Sequence, residues 1–158
     1  MIRLVDSSEA MEALGGELAA AVTGDAEQRN CVVALRGELG SGKTTLARGF
    51  LRRLGHRQRV PSPSFTLLEP YDVGGWQVFH LDLYRVADGE ELEFLGLRDL
   101  PVAASICLVE WPERAKGFPL SADLELGLHY ADHGRTVEAS AITDRGAAVL
   151  ANLGHKHI

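Results

Sequence analysis

The sequence predicts a single α/β domain over residues 1–158, with a mixed, mainly parallel sheet, antiparallel hairpins and flanking helices. Two short, mostly apolar runs, Cys31–Leu35 and Ser105–Glu110, are typical of strands that are buried on both faces. Two pairs of β-rich segments separated by turn residues predict hairpins, and segments with helical spacing precede and follow the strands. This alternation of strands and helices favours one layered α/β domain.

Length and composition are those of a folded protein that is not adapted to nucleic-acid binding. The chain has 158 residues, of which 46% are apolar and 24% charged, which suffices for a hydrophobic core. Twenty-two acids and 16 bases give a net charge of −6, whereas a dedicated RNA or DNA binder is usually basic. We therefore expect no direct, tight binding to nucleic acid. Only three of the bases are lysines, which makes the position of Lys43 informative.

The sequence gives no sign of secretion or of a membrane partner. The two cysteines, Cys31 and Cys107, each lie in an apolar run, which favours buried free thiols over a disulfide. The first residues lack the apolar stretch of a signal peptide, and the chain has no apolar run of 18 residues. We expect a cytoplasmic protein that does not engage the membrane.

The first part of the chain predicts a helix, a strand, a turn and a second helix. Helix-capping residues precede apolar side chains at helical spacing, so a helix is expected over Ser7–Val22. Cys31–Leu35 is expected to be a buried strand. The glycine-rich segment Gly37–Gly42 then forms a turn, and Thr44–Leu54 forms a helix that ends at Gly55.

The second part predicts two hairpins on either side of a buried strand. Pro61 and Pro63 favour an extended loop before the first hairpin. The segments that follow are strands at Phe65–Tyr71 and Trp76–Leu83, a short helix from Asp88 to Gly96, a strand at Ser105–Glu110, and strands at Leu124–Tyr130 and Arg135–Ile142. Turn residues separate the strands of each hairpin, at 72–75 in the first and 132–134 in the second.

The most specific motif of the chain begins in the turn Gly37–Gly42. Gly37-Glu38-Leu39-Gly40-Ser41-Gly42-Lys43-Thr44 matches the pattern G-x-x-x-x-G-K-[ST] of a phosphate-binding loop, or P-loop. A chain of this composition is expected to contain roughly 0.003 such matches by chance. The motif also has the required context, a predicted strand before it and a predicted helix after it. The sequence therefore predicts a P-loop NTPase domain.

The residue types of the motif suit a polyphosphate. Glycines allow the backbone amides of Gly40, Ser41 and Gly42 to point towards phosphate oxygens, and the helix N-terminus adds partial positive charge. Lys43 places a cation at the β- and γ-phosphates. The Thr44 hydroxyl is a hard oxygen ligand that suits Mg²⁺.

The identity of the nucleotide is constrained by an element that the sequence lacks. There is no [NT]-K-x-D segment for reading guanine, because Lys116 and Lys156 lie in other contexts. We therefore expect ATP in preference to GTP, with Mg²⁺ as its metal ion. Thr45 either contacts the α-phosphate of this nucleotide or only begins the helix, and the sequence leaves both roles open.

Two carboxylates are candidates for holding the metal and for activating water. Ile106–Glu110 is an apolar strand that ends in an acid, as a Walker B element does, so Glu110 is expected at Mg²⁺ or its bound water. Asp82 also follows an apolar strand and is suited to orient the attacking water or to hold a metal-bound water. Spacing does not assign the two roles. Both acids, with Lys43, are the candidate catalytic residues.

Further motifs follow the P-loop in a fixed order. They are VPSPSFTL at Val60–Leu67, HLDLYR at His80–Arg85, EELEFLG at Glu90–Gly96 and LVEWP at Leu108–Pro112. With the P-loop, this order resembles the bacterial TsaE (YjeE) family, the ATPase component of tRNA threonylcarbamoyladenosine biosynthesis. The resemblance covers about Gly37 to Pro112 strongly and both flanks more weakly. The P-loop alone does not identify the family, whereas the joint order of motifs is specific.

The resemblance implies an ATPase that drives turnover of a transferase complex without performing the transfer. Its partners would be the carbamoyl-transferase subunit and that subunit's non-catalytic paralogue, with tRNA involved indirectly. We expect slow hydrolysis by the chain alone and stimulation by these partners, because no self-supplied arginine finger is evident in the sequence.

The resemblance also implies roles for particular residues. Thr44 and Glu110 map onto the magnesium positions, and Asp82 maps onto an essential carboxylate. Trp111 maps onto a residue beside the nucleotide, and Arg135 maps onto a late arginine that approaches it.

A switch-like loop near the γ-phosphate is implied at Ser62–Phe65. Ser64 stands where the family often has threonine, so the hydroxyl is kept.

Two other functions fit the same motif. A small-molecule kinase also uses a P-loop, but it needs a second substrate pocket and usually an arginine-bearing lid, and no segment is a clear lid. In a nucleotide-gated partner-binding module, ATP only fixes the switch-like loop and hydrolysis is incidental.

Several residues outside the motif have a structural as well as a functional interpretation. The basic stretch Arg48–Arg59 is either a solvated face at a helix C-terminus or a surface for a partner or tRNA. His80 is interpreted as a packed or hydrogen-bonded strand residue rather than a metal ligand. Trp111 is either a residue beside the nucleotide or only an aromatic residue of the core. His155 and His157 are interpreted as a tail.

Overall fold

Seven strands form one sheet within the residues that the computed structural model describes, which are 1–94, 96–97, 104–117 and 120–154. The strands are β1 (Ile2–Val5), β2 (Cys31–Arg36), β3 (Leu68–Val73), β4 (Trp76–Asp82), β5 (Ser105–Glu110), β6 (Leu124–Ala131) and β7 (Gly134–Ala141). Their order across the sheet is β1-β7-β6-β2-β5-β4-β3. The central strands β6, β2, β5 and β4 are parallel, and antiparallel pairs lie towards both edges. The predicted fold class is confirmed.

Helices cover both faces of the sheet. They are α1 (Ser8–Thr23), α2 (Lys43–Leu54), α3 (Glu90–Phe94) and α4 (Asp144–Gly154), with a 3₁₀ turn at Pro112–Ala115. Side chains of α1, α2 and α4 pack with Val33 and Leu108 of the sheet, whereas α3 and the 3₁₀ turn pack with Val32 and Cys107. Because successive strand residues point to opposite faces, these two apolar clusters lie on opposite sides of the sheet.

The predicted segments are found with shifted ends. The strand that was expected from Phe65 begins at Leu68, because Leu67 has φ +65° and its N–H donates to the Pro63 carbonyl at 2.8 Å, which closes a turn. The first hairpin then turns through Gly74 and Gly75 alone, and both have positive φ, as a two-residue turn requires.

Both ends of the helix predicted at Ser7–Val22 move by one residue. Ser7 is the N-cap, and its hydroxyl accepts a hydrogen bond from the Ala10 amide at 3.1 Å. The expected tail residues His155 and His157 lie outside the described residues.

Three elements were not predicted from the sequence. Strand β1 pairs with β7 at one edge of the sheet, helix α4 follows β7, and the 3₁₀ turn follows β5 directly. The turn begins after Trp111, which adopts the left-handed backbone conformation with φ +57°. This bend carries the chain away from the end of β5, so Trp111 lies beside Glu110 without continuing the strand.

Helices α1 and α2 meet in unusually close contact. A Cβ atom on Gly15 would lie 2.0 Å from the Leu46 carbonyl oxygen, and one on Gly49 would lie 2.0 Å from the Glu12 carbonyl oxygen. Both distances are far below van der Waals contact, so each glycine allows its helix to touch the backbone of the other helix. The contact fixes the position of α2, whose first residues are Lys43 and Thr44.

We expect Gly15→Ala to destabilise the fold, although alanine favours a helix over glycine by about 1 kcal/mol. The added methyl group must displace backbone of α2, so the free energy of unfolding should fall by about 2 kcal/mol. Gly16→Ala is the matched control, since a Cβ there would lie 3.6 Å from Arg53 Cβ, an ordinary contact. Urea titrations of both variants would measure the difference. Equal stabilities would contradict the described helix contact.

Candidate functional site

The loop Gly37–Gly42 connects β2 to α2 at the carboxyl ends of the central strands. Gly40 and Gly42 have φ values of +74° and +109°, and Gly42 is the N-cap of α2. A side chain on Gly37 would collide with Ser41 Oγ, because a Cβ atom there would lie 2.5 Å from it. Glycine is therefore required for this loop to curl at the N-terminus of α2. A helix N-terminus with glycine before it is a site that suits anions.

Lys43 lies across the mouth of this loop and is only 4% exposed. Its Nζ donates to the Gly37 carbonyl at 2.5 Å, the Glu38 carbonyl at 2.9 Å and Ser41 Oγ at 3.3 Å. The ammonium also lies 4.4 Å from the centre of the Trp111 ring. Burial lowers the pKa of Lys43 because the charged form loses water. These hydrogen-bond acceptors are neutral, so an arriving anion would find a buried cation to pair with.

Glu110, at the end of β5, is 3% exposed and receives two contacts on one oxygen atom. Thr44 Oγ1 donates to Glu110 Oε1 at 2.8 Å. His80 Nε2 lies 2.8 Å from the same Oε1. His80, Asp82 and Glu110 point to the α2 face of the sheet, because they continue the alternation that begins with Val78 and Leu108.

Asp82 ends β4 and lies in register with Glu110 on the neighbouring strand. Its Oδ2 accepts hydrogen bonds from Ser62 Oγ at 2.9 Å and Ser64 Oγ at 3.2 Å. Its Oδ1 accepts the Tyr84 amide at 3.0 Å. The loop that contains the two serines is thus tied to Asp82, while Glu110 is tied to the first turn of α2.

One open cavity of about 210 Å³ brings most of the predicted site residues together. It is lined by Leu39, Gly40, Ser41, Gly42, Lys43, Thr44, Thr45, Ser62, Ser64, Asp82, Tyr84, Glu110 and Trp111. Trp111 is half-buried here and packs against the Tyr84 ring at a centroid distance of 4.9 Å.

Arg135 lies in a neighbouring cavity of about 280 Å³ on the other side of the loop. Its Nη2 donates to the Gly40 carbonyl at 3.1 Å, and its guanidinium stacks 4.1 Å from the Tyr130 ring. The Tyr130 hydroxyl in turn donates to the Leu39 carbonyl at 2.5 Å. The end of the β6–β7 hairpin therefore holds the loop in place through two carbonyl groups. Thr45 faces both cavities.

Sequence reasoning missed two kinds of residue at the site. Tyr130 was expected only as a strand residue. Its pairing opposite Arg135 in the predicted hairpin is the feature that could have indicated its place near the site. Residues 5–8, where β1 leads into α1, also line the second cavity, and the sequence marked them only as the start of a helix. His80 is hydrogen-bonded as expected, but its partner is a site carboxylate.

The basic stretch Arg48–Arg59 is partly neutralised by α1. Arg48 lies 3.4 Å from Glu12, and Arg52 forms an ion pair with the same carboxylate. Arg57 and Arg59 are exposed and line a groove that reaches Thr44 and Ser62. Arg52 also lies in the last turn of α2, where a cation is favourable.

The residues present fit a hard divalent cation that is shared with a ligand. The described part of the chain has no group of three or more His, Cys, Asp or Glu side chains that could hold a metal ion alone. Thr44 and Glu110 offer two oxygen ligands side by side, and Mg²⁺ commonly takes one or two protein oxygens with phosphate and water. Nor do residues 1–94, 96–97, 104–117 and 120–154 include a helix that is long and apolar enough to span a membrane.

Comparison with known proteins identifies the family. The family model for "Threonylcarbamoyl adenosine biosynthesis protein TsaE" matches residues 5–137. The chain belongs to the TsaE family. A TsaE protein from Haemophilus influenzae is 45% identical over 123 residues, which are 78% of this chain and 78% of that protein. A TsaE protein from Aquifex aeolicus is 34% identical over 125 residues, covering 78% of this chain and 85% of that protein.

The TsaE fold is also found in a solved structure. The crystal structure of YdiB from Bacillus subtilis superimposes with a TM-score of 0.77 at 27% sequence identity, over 97% of this chain and 93% of that one. The region that the family model matches contains the loop, Asp82, Glu110, Trp111 and Arg135.

Proposed function

We propose that this TsaE family member binds ATP with Mg²⁺ and hydrolyses it in tRNA threonylcarbamoyladenosine biosynthesis. The observation that carries the proposal is the convergence of Lys43, Thr44, Asp82 and Glu110 in one cavity at the loop Gly37–Gly42. A buried cation, a helix N-terminus and two carboxylates at adjacent strand ends are what a triphosphate with its metal ion requires. The pathway is the one for which the TsaE family and its relatives are named.

The amides of the loop and Lys43 would bind the phosphates. Thr44 and Glu110 would hold Mg²⁺, and this ion would neutralise negative charge on the phosphate oxygens. Asp82 would orient the attacking water from the end of the next strand. The second cavity, next to Arg135 and Thr45, has space for the nucleoside on the other side of the loop.

Hydrolysis by the chain alone should be slow. Three hydrogen bonds, from Ser62, Ser64 and the Tyr84 amide, already hold the Asp82 carboxylate and occupy three of its roughly four acceptor positions, so a water competes with the serine loop for this group. We propose that partners release this arrangement. In the proposed assembly, these are the transferase subunit and its non-catalytic paralogue, with tRNA involved indirectly, in the cytoplasm.

The decisive experiment measures release of phosphate from ATP by the purified chain, first alone and then with the transferase pair and tRNA. We expect slow release alone and at least about tenfold stimulation by the complete set. Rapid release that ignores the transferase pair would contradict the proposal. Transfer of phosphate to a metabolite, with no free phosphate, would favour a small-molecule kinase instead.

The serine contacts of Asp82 favour one alternative, a nucleotide-gated module. If ATP binding only moves the loop Ser62–Phe65, then hydrolysis would be incidental to partner binding. An Asp82→Ala variant that binds the partners and supports full tRNA modification would favour this alternative over the ATPase.

A further inference from the structure

His80 is a fully buried polar residue of β4, with Val78 before it and Asp82 after it on the same face of the strand. Its exposure is 0%, and the residue two positions before it on the same face of β4, Val78, is also fully buried. Nδ1 of His80 has no hydrogen-bond partner among the described residues, and Nε2 lies 2.8 Å from Glu110 Oε1. A buried, half-satisfied imidazole reduces stability relative to an apolar side chain, so its presence needs a reason other than packing.

These contacts define the tautomer of the ring. A hydrogen on Nε2 is donated to the carboxylate, whereas a hydrogen on Nδ1 would be buried with no acceptor. The Nδ1 tautomer would also turn the Nε2 lone pair towards a carboxylate oxygen. The tautomer with its hydrogen on Nε2 is therefore the one that fits these contacts.

His80 and Thr44 converge on the same oxygen of Glu110. Thr44 approaches from the first turn of α2 and His80 from β4, each at 2.8 Å from Oε1. Two donors from different elements fix the rotation of a carboxyl group that one donor would leave free. They also keep the carboxylate against the threonine hydroxyl, which is the other proposed magnesium position.

We propose that His80 is a positioning residue that holds the Glu110 carboxylate beside Thr44 and thereby sets the affinity of the site for Mg²⁺. The inference rests on the proposed function and extends it to a residue outside the P-loop. The imidazole acts only through Glu110 and contacts neither nucleotide nor metal.

The test compares His80→Leu, which removes the donor, with His80→Gln, whose side-chain amide can donate from a similar position. His56→Leu is the control, because His56 also has an unpaired buried nitrogen but packs edge-on against Tyr71, on another part of the chain. ADP binding is titrated at a series of Mg²⁺ concentrations and again in EDTA. Thermal melts establish that each variant is folded.

We expect His80→Leu to raise the Mg²⁺ concentration for half-maximal effect on ADP binding by about tenfold or more. Its ADP affinity in EDTA should change by less than about twofold, since the loop and Lys43 are untouched. His80→Gln should remain within about threefold of the parent chain, and His56→Leu should match the parent. Equal Mg²⁺ responses in all four proteins, or an equal loss with and without Mg²⁺, would overturn the inference.

A second measurement does not depend on bound metal or on folding of the leucine variant. Nitrogen-15 NMR of the parent chain should give His80 a protonated Nε2 and an unprotonated Nδ1, and Glu110→Gln should shift the Nε2 resonance. The opposite tautomer would overturn the inference. If the parent chain binds no nucleotide with or without Mg²⁺, the proposed function fails, and the NMR result still decides whether His80 is bonded to Glu110.

Discussion

Replacing Lys43 with alanine should weaken ATP binding by at least about 100-fold. The lysine is a buried cation, and within the described part of the chain its hydrogen-bond acceptors are neutral oxygens of its own loop. A hydrogen bond to a charged group contributes about 1.5–3 kcal/mol, and 100-fold in affinity corresponds to about 2.7 kcal/mol. Calorimetry with ATP and Mg²⁺ would measure the loss.

Lys116→Ala is the matched control for this change. It removes the same side chain and the same charge, but Lys116 is exposed and does not line the cavity. Its ATP affinity should stay within about twofold of the parent chain, because exposed charges contribute little. If Lys43→Ala bound ATP as tightly as Lys116→Ala, the loop would not be a phosphate site and the proposed function would be lost.

Substitutions of the two site carboxylates should have different effects. Asp82→Asn should lower partner-stimulated ATP turnover by about 100-fold or more, yet change Mg²⁺-dependent nucleotide affinity by less than about threefold. Glu110→Gln should instead raise the Mg²⁺ requirement for nucleotide binding by about tenfold or more. The effects differ because the two acids have different contacts. Asp82 contacts Ser62 and Ser64, whereas Glu110 contacts Thr44, the other proposed magnesium position.

Asp72→Asn is the control for charge, because Asp72 is exposed on β3 and lines neither cavity at the loop. Turnover is measured with the transferase pair present, and affinity is measured by titration at several Mg²⁺ concentrations. Identical profiles for Asp82→Asn and Glu110→Gln would mean that the two acids share one role, contrary to their separate hydrogen bonds.

Local patterns were enough to predict the centre of the site. The strand, glycine turn and helix around Lys43 are consecutive in the chain, so their geometry follows from short-range rules. Asp82 and Glu110 could be expected at the carboxyl ends of strands in the sheet, because each ends an apolar strand. The two motifs did not give the positions of these acids relative to each other, and the structure supplies this by pairing Asp82 with Glu110 on the neighbouring strands β4 and β5.

What the sequence did not predict depends on long-range pairing. Strand β1 is stabilised by pairing with β7, more than 100 residues away, and four residues carry little signal alone. The Tyr130 contact with the loop requires the register of the β6–β7 hairpin and its position over Leu39. The start of β3 at Leu68 depends on a positive φ at Leu67, a conformation that non-glycine residues seldom adopt.

The ring of Trp111 against the Lys43 ammonium makes the chain a potential optical reporter of its own ligand. The other of the two tryptophans, Trp76, begins β4, whereas Asp82 ends that strand about 20 Å away. A Trp76→Phe variant would leave a single indole beside the loop Gly37–Gly42, and its emission spectrum should respond when an anion draws the ammonium from the ring. Ligand association could then be followed in real time without any attached dye.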